Sequence, residues 1–328
     1  MLEVTRRSVV RSAFGAVLLL ACTLSAFAQA GYPDRPIRVI VPFAPGGGSD
    51  LVARYLGPRL SDRLGQPVVI DNRPAASGIL GSEIVAHATP DGHTLLLVFS
   101  THAQSAKLFR KLPYDPIKDF APITEVIATP LVMLVHPSVP AKTVQEFIAY
   151  AKSNPGKLNY GSSGPGSSPH LAAALLESMA GIRTTHVPYK GVAQYITAEL
   201  GGEVQFSFAN MFSTMPHWKS GRLRLIATAG AKRSETIPDV PTIAESGLPG
   251  YEALIWYGYM APAKTPKAIV ERLHREITGI VNTPEVRQFF VSQGNDVVAG
   301  TPAQFAKVIK DDADKWGAIG KRIGVTLD

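Results

Sequence analysis

The sequence has one cysteine, Cys22, among its 328 residues. A single cysteine excludes a disulfide framework and every metal centre that needs several thiolates. The eight histidines include no H-x-x-x-H or H-E-x-x-H pair, so a zinc site is not expected either. We therefore predict that the protein binds no metal and needs no cofactor.

Long apolar runs and dense charge are also missing. Beyond residue 30, no stretch approaches the roughly 20 apolar residues that a membrane-spanning helix needs. Charged residues make up 18% and hydrophobic residues 45%, which is typical of a globular chain, and the length suggests two domains. The formal net charge is +7, yet the basic residues beyond residue 30 form no long runs and are not interleaved with aromatics. We therefore expect small anions, and not nucleic acid, as partners.

The first 28 residues have the features of an export signal. Three arginines precede an uncharged stretch over 13–28 that is rich in Leu and Ala, and it ends in an A-x-A cleavage site. Cleavage after Ala28 would make Gln29 the mature N-terminus and would remove Cys22, which suits an oxidising periplasm. A periplasmic location is therefore predicted.

Two alternatives to this signal stay open. Residues 19–22 (Leu-Leu-Ala-Cys) loosely resemble a lipobox, in which case Cys22 would be a lipid-anchored N-terminus. Residues 5–7 (Thr-Arg-Arg) resemble the beginning of a twin-arginine signal, although the arginine pair also fits an ordinary basic n-region, which we favour.

The mature chain has the pattern of two α/β units. A strand at Ile37–Val41 precedes a Gly-rich turn at Pro45–Asp50 and a helical pattern of apolar residues. From Leu131 the rhythm restarts, and a strand at Leu158–Gly161 precedes a second Gly/Ser turn at Gly161–Pro169. Strands that alternate with helices predict parallel sheets covered on both faces, with a ligand cleft between the two units.

The C-terminal part is predicted to be helical and to return to the first unit. Its helices are expected to begin at three Thr-Pro pairs, in which Thr is the N-cap and Pro the first helical residue: Thr265-Pro266, Thr283-Pro284 and Thr301-Pro302. We therefore predict a signal peptide at 1–28, a discontinuous first domain at 29–130 and 250–328, and a second domain at 131–249.

The turn at Ala44–Asp50 is the sharpest local motif. Its glycines allow backbone N–H groups to approach a ligand, and the helix that follows adds a partial positive charge. An anion is favoured there without an arginine. The spacing fits neither a dinucleotide fingerprint nor a P-loop. The alternative interpretation is a tight strand-to-helix turn in which Ser49 or Asp50 caps the helix.

The second turn, Gly161–Ser168, repeats this arrangement with four serine hydroxyls. Hydroxyl and backbone donors there suit the other end of a polar ligand. A nucleophile elbow would need glycine where Pro165 stands. No motif brings a nucleophile, a base and an orienting acid together, so an enzyme is not predicted. The alternative interpretation is a Ser/Gly loop that binds nothing.

Several strand ends carry side chains that suit a cleft. His102, Tyr189 and Asn210 each follow or end a predicted strand, and the Asn210 carboxamide is suited to donate to a carboxylate. Trp256 and Tyr257 are candidates for a cleft wall. Each also has a structural interpretation, as a satisfied core histidine, a capping asparagine or a core aromatic.

Short blocks follow one another along the chain in a fixed order: Tyr32–Ile37, Val41–Asp50, Leu64–Val68, Asp71–Pro74, Pro90–Leu96, Lys111–Pro116, Val187–Gly191, Pro238–Thr242 and Gly247–Tyr251. In residue types and in order, these blocks resemble the Bug-type (TctC-like) extracytoplasmic solute receptors that serve tripartite tricarboxylate transporters. The resemblance covers essentially the whole mature chain.

The resemblance implies an α/β, two-domain periplasmic binding protein (type II-like) that closes on a ligand in the cleft between its domains. It implies a receptor and not an enzyme. Such a receptor captures a small carboxylate, a dicarboxylate or a related organic acid, for the membrane subunits of the transporter. A monomer is expected.

The ligand residues of the family, carried over to this chain, come from the two turns and from strand ends. They are Phe43, Ala44, Gly48, Ser49, Asp50, Thr101, His102, Ser162, Gly164, Ser167, Ser168, Tyr189 and Asn210. Two departures from the family pattern are expected to change the ligand preference. Ser100 stands where relatives often have Gly, and Ala209 stands where they often have Asp.

Two other functions stay open. An exported α/β hydrolase would share the alternating pattern, and turnover of a bound carboxylate by the purified protein would reveal it. A ligand sensor for a signalling partner would share the fold and the binding step, and a neighbouring histidine kinase gene would favour it over transport.

Overall fold

The computed structural model describes residues 31–325, except residue 235, and residue 327. The predicted signal peptide at 1–28, its cleavage site and Cys22 lie outside the described residues. No helix in the described part of the chain is long and apolar enough to cross a membrane.

The described residues form ten strands. They are β1 (Ile37–Val41), β2 (Val68–Asn72), β3 (Thr94–Phe99), β4 (Phe120–Val135), β5 (Asn159–Ser162), β6 (Thr185–Pro188), β7 (Phe206–Asn210), β8 (Arg224–Thr228), β9 (Leu254–Pro262) and β10 (Asp296–Val297). Strand β3 is apolar and buried along almost its whole length, as expected for a strand that is covered on both faces.

Ten α-helices pack around these strands within the same residues. They are α1 (Gly48–Leu64), α2 (Ile79–Ala86), α3 (Thr101–Leu108), α4 (Val144–Ser153), α5 (Ser168–Ala180), α6 (Val192–Leu200), α7 (Met211–Lys219), α8 (Lys267–Val281), α9 (Pro284–Ser292) and α10 (Pro302–Ile323). A 3-10 turn at Ala76–Gly78 precedes α2.

The strands form one continuous mixed sheet in the order β2-β1-β3-β9-β4-β7-β5-β6, and β8 and β10 also pair with β4. Strand β1 is parallel to β2 and β3, and β5 is parallel to β6 and β7, as the alternating pattern predicts. Strands β4 and β9 are antiparallel to their neighbours, which differs from the expected all-parallel sheets. The reason is that these two strands carry the chain between the halves of the sheet and run against the βαβ direction.

The two halves of the sheet meet in the middle of β4. Its first part, Phe120–Pro130, pairs with β9, and its last part, Leu131–Val135, pairs with β7 and β8. The chain returns from the second half of the sheet to the first half beside this point, at Ala253. The Leu131 N–H donates to the Ala253 carbonyl at 3.1 Å, and the Ala253 N–H donates to the Ala229 carbonyl at 2.8 Å. Two adjacent crossings therefore join the halves.

The C-terminal helices cover the first half of the sheet. Helix α10 is amphipathic and buries Phe305 and Trp316. A capping box begins it: the Gln304 N–H donates to Thr301 Oγ1 at 3.2 Å, and the Thr301 N–H donates to Gln304 Oε1 at 2.8 Å. This helix start is confirmed. Helix α8 begins one residue later than predicted, because Pro266 occupies its N-cap position.

Candidate ligand-binding site

A cavity lies where the two halves of the sheet meet. Its floor is formed by Phe99, Ile255, Tyr257, Leu131 and Asn210. The sheet order β3-β9-β4-β7 places them side by side. Phe99 is the register partner of Tyr257, and Leu131 is the register partner of Asn210. The site is therefore assembled across the crossing between the halves.

The walls come from both halves of the molecule. The remaining lining residues are Phe43, Gly47, Gly48, Ser49, Ser163, Pro169, Val192 and Tyr195. About 370 Å³ of empty space lies between the wall atoms, and about 30 Å³ of it can hold the centre of a water molecule. A cavity needs about 10–15 Å³ of volume open to the water centre to hold one water molecule. The space is narrow, so a ligand larger than a few waters has to enter while the halves are apart.

The two halves touch around this cavity. The Ala44 N–H donates to the Lys190 carbonyl at 3.4 Å, and the Ser77 N–H donates to the Ser163 carbonyl at 3.4 Å. The Ser77 hydroxyl also donates to the carbonyl of Pro165. The arrangement is therefore a closed one, in which the first turn and the 3-10 turn contact the second half.

The N-terminus of α1 faces the cavity with free donors. Its N-cap residue is Gly47, which has no side chain, so no cap satisfies the first backbone N–H groups. Gly48 and Ser49 begin the helix and line the cavity. The Ser49 hydroxyl is buried and has no hydrogen-bond partner in the described residues. Uncapped N–H groups and the helix dipole favour an anion at this end of the cavity.

Asp50 holds the first turn in shape. It is 3% exposed and accepts hydrogen bonds from the Gly46 N–H at 2.9 Å and from Asn72 Nδ2 at 2.9 Å. It also pairs with Arg54 at 3.0 Å. Its carboxylate is therefore occupied by the protein. The alternative prediction that Ser49 or Asp50 caps the helix is wrong, because the N-cap residue is Gly47 and both residues lie inside the first turn.

Ser162 and Gly164 organise the second turn. Ser162 Oγ lies 2.5 Å from His186 Nε2 and accepts from the Gly164 N–H at 3.1 Å. Gly164 has a φ of 115°, which side-chain-bearing residues rarely adopt. The His186 ring stacks on His170 with ring centroids 4.2 Å apart. This hydroxyl therefore points into the turn and its histidines.

Ser168 and Thr101 link the two halves directly. The Ser168 N–H donates to Thr101 Oγ1 at 3.0 Å, and the Ser168 hydroxyl donates to Gln104 Oε1 at 2.9 Å. Ser167, the N-cap of α5, is buried, and its hydroxyl has no partner in the described residues. None of the three lines the cavity. Ser168 and Thr101 hold the closed arrangement from beside it.

His102 lies in the core beneath the site. Its Nε2 is 2.9 Å from the Pro116 carbonyl and its Nδ1 is 3.2 Å from Ser82 Oγ. The ring stacks on Tyr114 and meets Phe120 edge-on. Burial lowers the pKa of His102 to about 4, so the ring is neutral at pH 7. The structure gives this residue the environment of a satisfied core histidine.

Tyr189 and Ala44 do not line the cavity. The Tyr189 N–H donates to the Ser162 carbonyl at 2.9 Å within the second half, whereas Ala44 lies on the contact between the halves. A Cβ built on Gly191 would be 3.0 Å from the Ala44 Cβ, so the first turn rests on the beginning of α6.

The cavity thus gathers four of the residues carried over from the family pattern: Phe43, Gly48, Ser49 and Asn210. Most of the apolar wall, including Phe99, Leu131 and Ile255, was not predicted from the sequence. Phe99 ends the apolar run 95–99, and such a position at the end of a strand is a signal for a cleft residue. Tyr257, named as a candidate wall residue, does line the cavity.

Positive side chains are missing from the wall. No Lys, Arg or His of the described residues lines the cavity. Helix N-termini are therefore the source of positive potential, each equivalent to about half an elementary charge. Helices α1 and α6 both begin there, and the N-cap positions of both lack a side chain.

Comparison with known proteins gives consistent matches. A family model described as the tripartite tricarboxylate transporter family receptor matches residues 52–325. The structure of the periplasmic binding protein BugD is 31% identical, with a TM-score of 0.87, over 90% of this chain and 100% of that one.

Two further solved structures contain ligands. R. palustris Rpa4515 with adipate is 32% identical, with a TM-score of 0.88, over 90% of this chain and 100% of that one. MatC (Rpa3494) from Rhodopseudomonas palustris with bound malate is 33% identical, with a TM-score of 0.84, over 88% of this chain and 99% of that one. These matches confirm the predicted α/β, two-domain binding-protein fold. The chain belongs to the family of tripartite tricarboxylate transporter receptors.

Proposed function

We propose that this protein captures a small carboxylate in the periplasm and delivers it to the membrane subunits of a tripartite transporter. The observation that carries the proposal is the uncapped N-terminus of α1 at a cavity between the two halves, beside the unpartnered Ser49 hydroxyl. Support comes from adipate and malate, both carboxylates, in the related structures.

The proposal includes a division into domains. Residues 29–130 and 250–328 form one domain and residues 131–249 form the other. Strand β4 supports this boundary because it changes partners between Pro130 and Leu131, and the chain returns beside that point at Ala253. Opening would bend the molecule at these two crossings.

The residues carried over from the family pattern then have two proposed roles. Those that line the cavity contact the ligand: Phe43, Gly48, Ser49 and Asn210. The others support the turns or the closed state: Ala44, Asp50, Thr101, His102, Ser162, Gly164, Ser167, Ser168 and Tyr189. Support for this split is that most of the second group have polar groups already bonded within the protein.

The proposal involves no chemical change of the ligand. Ser162 and His186 are in contact, but no carboxylate of the described residues orients His186, and neither residue lines the cavity. Burial and the neighbouring His170 lower the pKa of His186 to about 3. A base with so low a pKa is a poor proton acceptor at neutral pH. Export with cleavage after Ala28 and a monomeric state complete the proposal.

The test is calorimetry on the mature chain from Gln29 with a panel of small carboxylates, after native mass spectrometry for co-purified acids. Ser49→Ala should weaken binding about tenfold, because hydrogen bonds to charged groups contribute roughly 1.5–3 kcal/mol. Ser220→Ala, at an exposed serine, is the control. The proposal fails if no carboxylate binds, or if the bound acid is recovered chemically changed.

A further inference from the structure

The donors in the cavity gather at one end of it. Tyr257 lies directly over the first residue of α1, since a Cβ built on Gly48 would be 2.2 Å from the Tyr257 hydroxyl oxygen. Burial raises the pKa of Tyr257 well above its usual value. The group therefore stays protonated and is available as a donor beside the Ser49 hydroxyl and the α1 amides.

The uncapped N-terminus of α6 points to the same end. A Cβ on Gly47 would be 3.2 Å from Val192 Cγ1, and a Cβ on Gly46 would be 3.5 Å from the Ala193 Cβ. The beginnings of α1 and α6 are therefore in contact across the boundary between the halves. Both helix dipoles act on one position, which suits a single carboxylate held by both halves.

The helix N-termini of α5 and α7 also lie near the cavity, and groups of the protein already occupy them. In α5 the Ser168 N–H donates to Thr101 and the next residue, Pro169, has no N–H. In α7 the Asn210 carboxamide oxygen accepts from the Ser213 N–H at 2.7 Å and caps the helix. Neither end offers the free row of amides that a second carboxylate needs.

The rest of the wall is apolar. The Phe43 and Phe99 rings are in tilted contact, with centroids 4.5 Å apart, and Leu131, Ile255 and Val192 complete this side. Tyr195 also lines the cavity, but its hydroxyl donates to the Phe208 carbonyl at 3.0 Å. The side-chain nitrogen of Asn210 and the residue Ser163 are neutral, and they suit a carbonyl or hydroxyl group of the ligand. Burying a second carboxylate here without a cation would be strongly unfavourable.

We propose that the ligand is a monocarboxylate with an apolar aliphatic or aromatic body, held by its single carboxylate at the joined N-termini of α1 and α6 and by the Tyr257 hydroxyl. This inference rests on the proposed function and narrows its ligand class. The dicarboxylates adipate and malate are present in structures of the related proteins. In this chain, the residues of the cavity wall determine which acid is preferred.

The test compares acids that differ only in the second carboxylate: hexanoate with adipate, butanoate with succinate, and benzoate with terephthalate. Calorimetry on the mature chain should show, for at least one pair, the monocarboxylate binding at least about tenfold more tightly. A dicarboxylate that binds as tightly as or more tightly than its partner in every pair would overturn this inference and leave the proposed function standing. Failure of all the acids to bind would overturn both.

Tyr257→Phe tests the carboxylate end. It should weaken the preferred monocarboxylate about tenfold. The matched control is Tyr259→Phe, two residues along β9, because Tyr259 is buried like Tyr257 but does not line the cavity. Tyr259→Phe should bind like the parent. If Tyr257→Phe and the parent bind the acid with equal affinity, the Tyr257 hydroxyl does not hold the carboxylate, and that part of the inference is overturned.

Discussion

Adding one methyl group at Gly48 tests whether the N-terminus of α1 and Tyr257 form a single wall. A Cβ at position 48 would lie 2.2 Å from the Tyr257 hydroxyl oxygen and 2.7 Å from its Cζ. Non-bonded heavy atoms are comfortable at about 3.5 Å, so the ring has to move by roughly 1 Å or more. Tyr257 is 2% exposed and lies on β9 between β3 and β4, which leaves it little room.

Gly48→Ala is therefore expected to lower the free energy of unfolding by about 1–3 kcal/mol, as overpacking usually does. Alanine is otherwise better than glycine in a helix by about 0.5–1 kcal/mol, so a loss of stability reports the collision. Affinity should also fall at least about tenfold, since the methyl group lies where the donors converge. Urea unfolding and calorimetry measure the two effects.

Two further variants sharpen this test. Gly201→Ala is the control, because its Cβ would lie 3.6 Å from the nearest atoms and should cost little. In the double variant Gly48→Ala/Tyr257→Phe, the oxygen at 2.2 Å is gone but Cζ at 2.7 Å remains. Part of the lost stability should return, while the lost affinity should not. The reasoning is refuted if Gly48→Ala matches the parent in both stability and binding.

Three other outcomes are expected. Burial lowers the pKa of His170 to about 4 and that of His186 to about 3, from 6.5, so the unfolded chain takes up protons first and each histidine should lower stability by roughly 2–3 kcal/mol as the pH drops from 6.5 to 4. In urea unfolding, His186→Asn should lose less stability than the parent over this pH drop, and an equal loss in the two proteins would contradict this. Burial raises the pKa of Glu199 from 4.5 to about 8, so the contribution of this carboxyl group to stability falls as the pH rises through that range; the Tm of Glu199→Gln should therefore rise relative to that of the parent, and a constant difference in Tm would contradict it. Ser168→Ala removes the hydrogen bond to Gln104 and should give a larger radius of gyration with ligand present in small-angle scattering, whereas an unchanged radius would exclude a closing role.

Local pattern predicted the βαβ elements well, because each is stabilised by its own residues. The strand at Ile37–Val41 is confirmed at both ends, and the strand predicted at Leu158–Gly161 lies one residue further along, at Asn159–Ser162. Strand β9 was not predicted. Its mixture of aromatics, glycine and methionine has no clear alternation, and it is stabilised by pairing with β3 and β4, which are distant in the sequence.

The candidate site divides in the same way. The glycines of the first turn indicate an anion site by themselves, because a backbone without side chains lets a ligand come close to the free amides of the helix N-terminus. The serines of the second turn could not be sorted by sequence. Ser162 and Ser168 have the same hydroxyl, but one contacts His186 and the other reaches Gln104 in the opposite half.

The sequence by itself determined the α/β class, the family and the turn that carries the free amides, since these depend on residue types within short segments. Only the tertiary structure decided which side chains share the cavity. Phe99, Leu131 and Tyr257 come from three strands that are far apart along the chain, and the order of the sheet places them together. The apolar wall, the absence of a cation among the described lining residues and the contact between the beginnings of α1 and α6 all follow from that order, because strand order is set by packing across the whole chain and leaves no local signal.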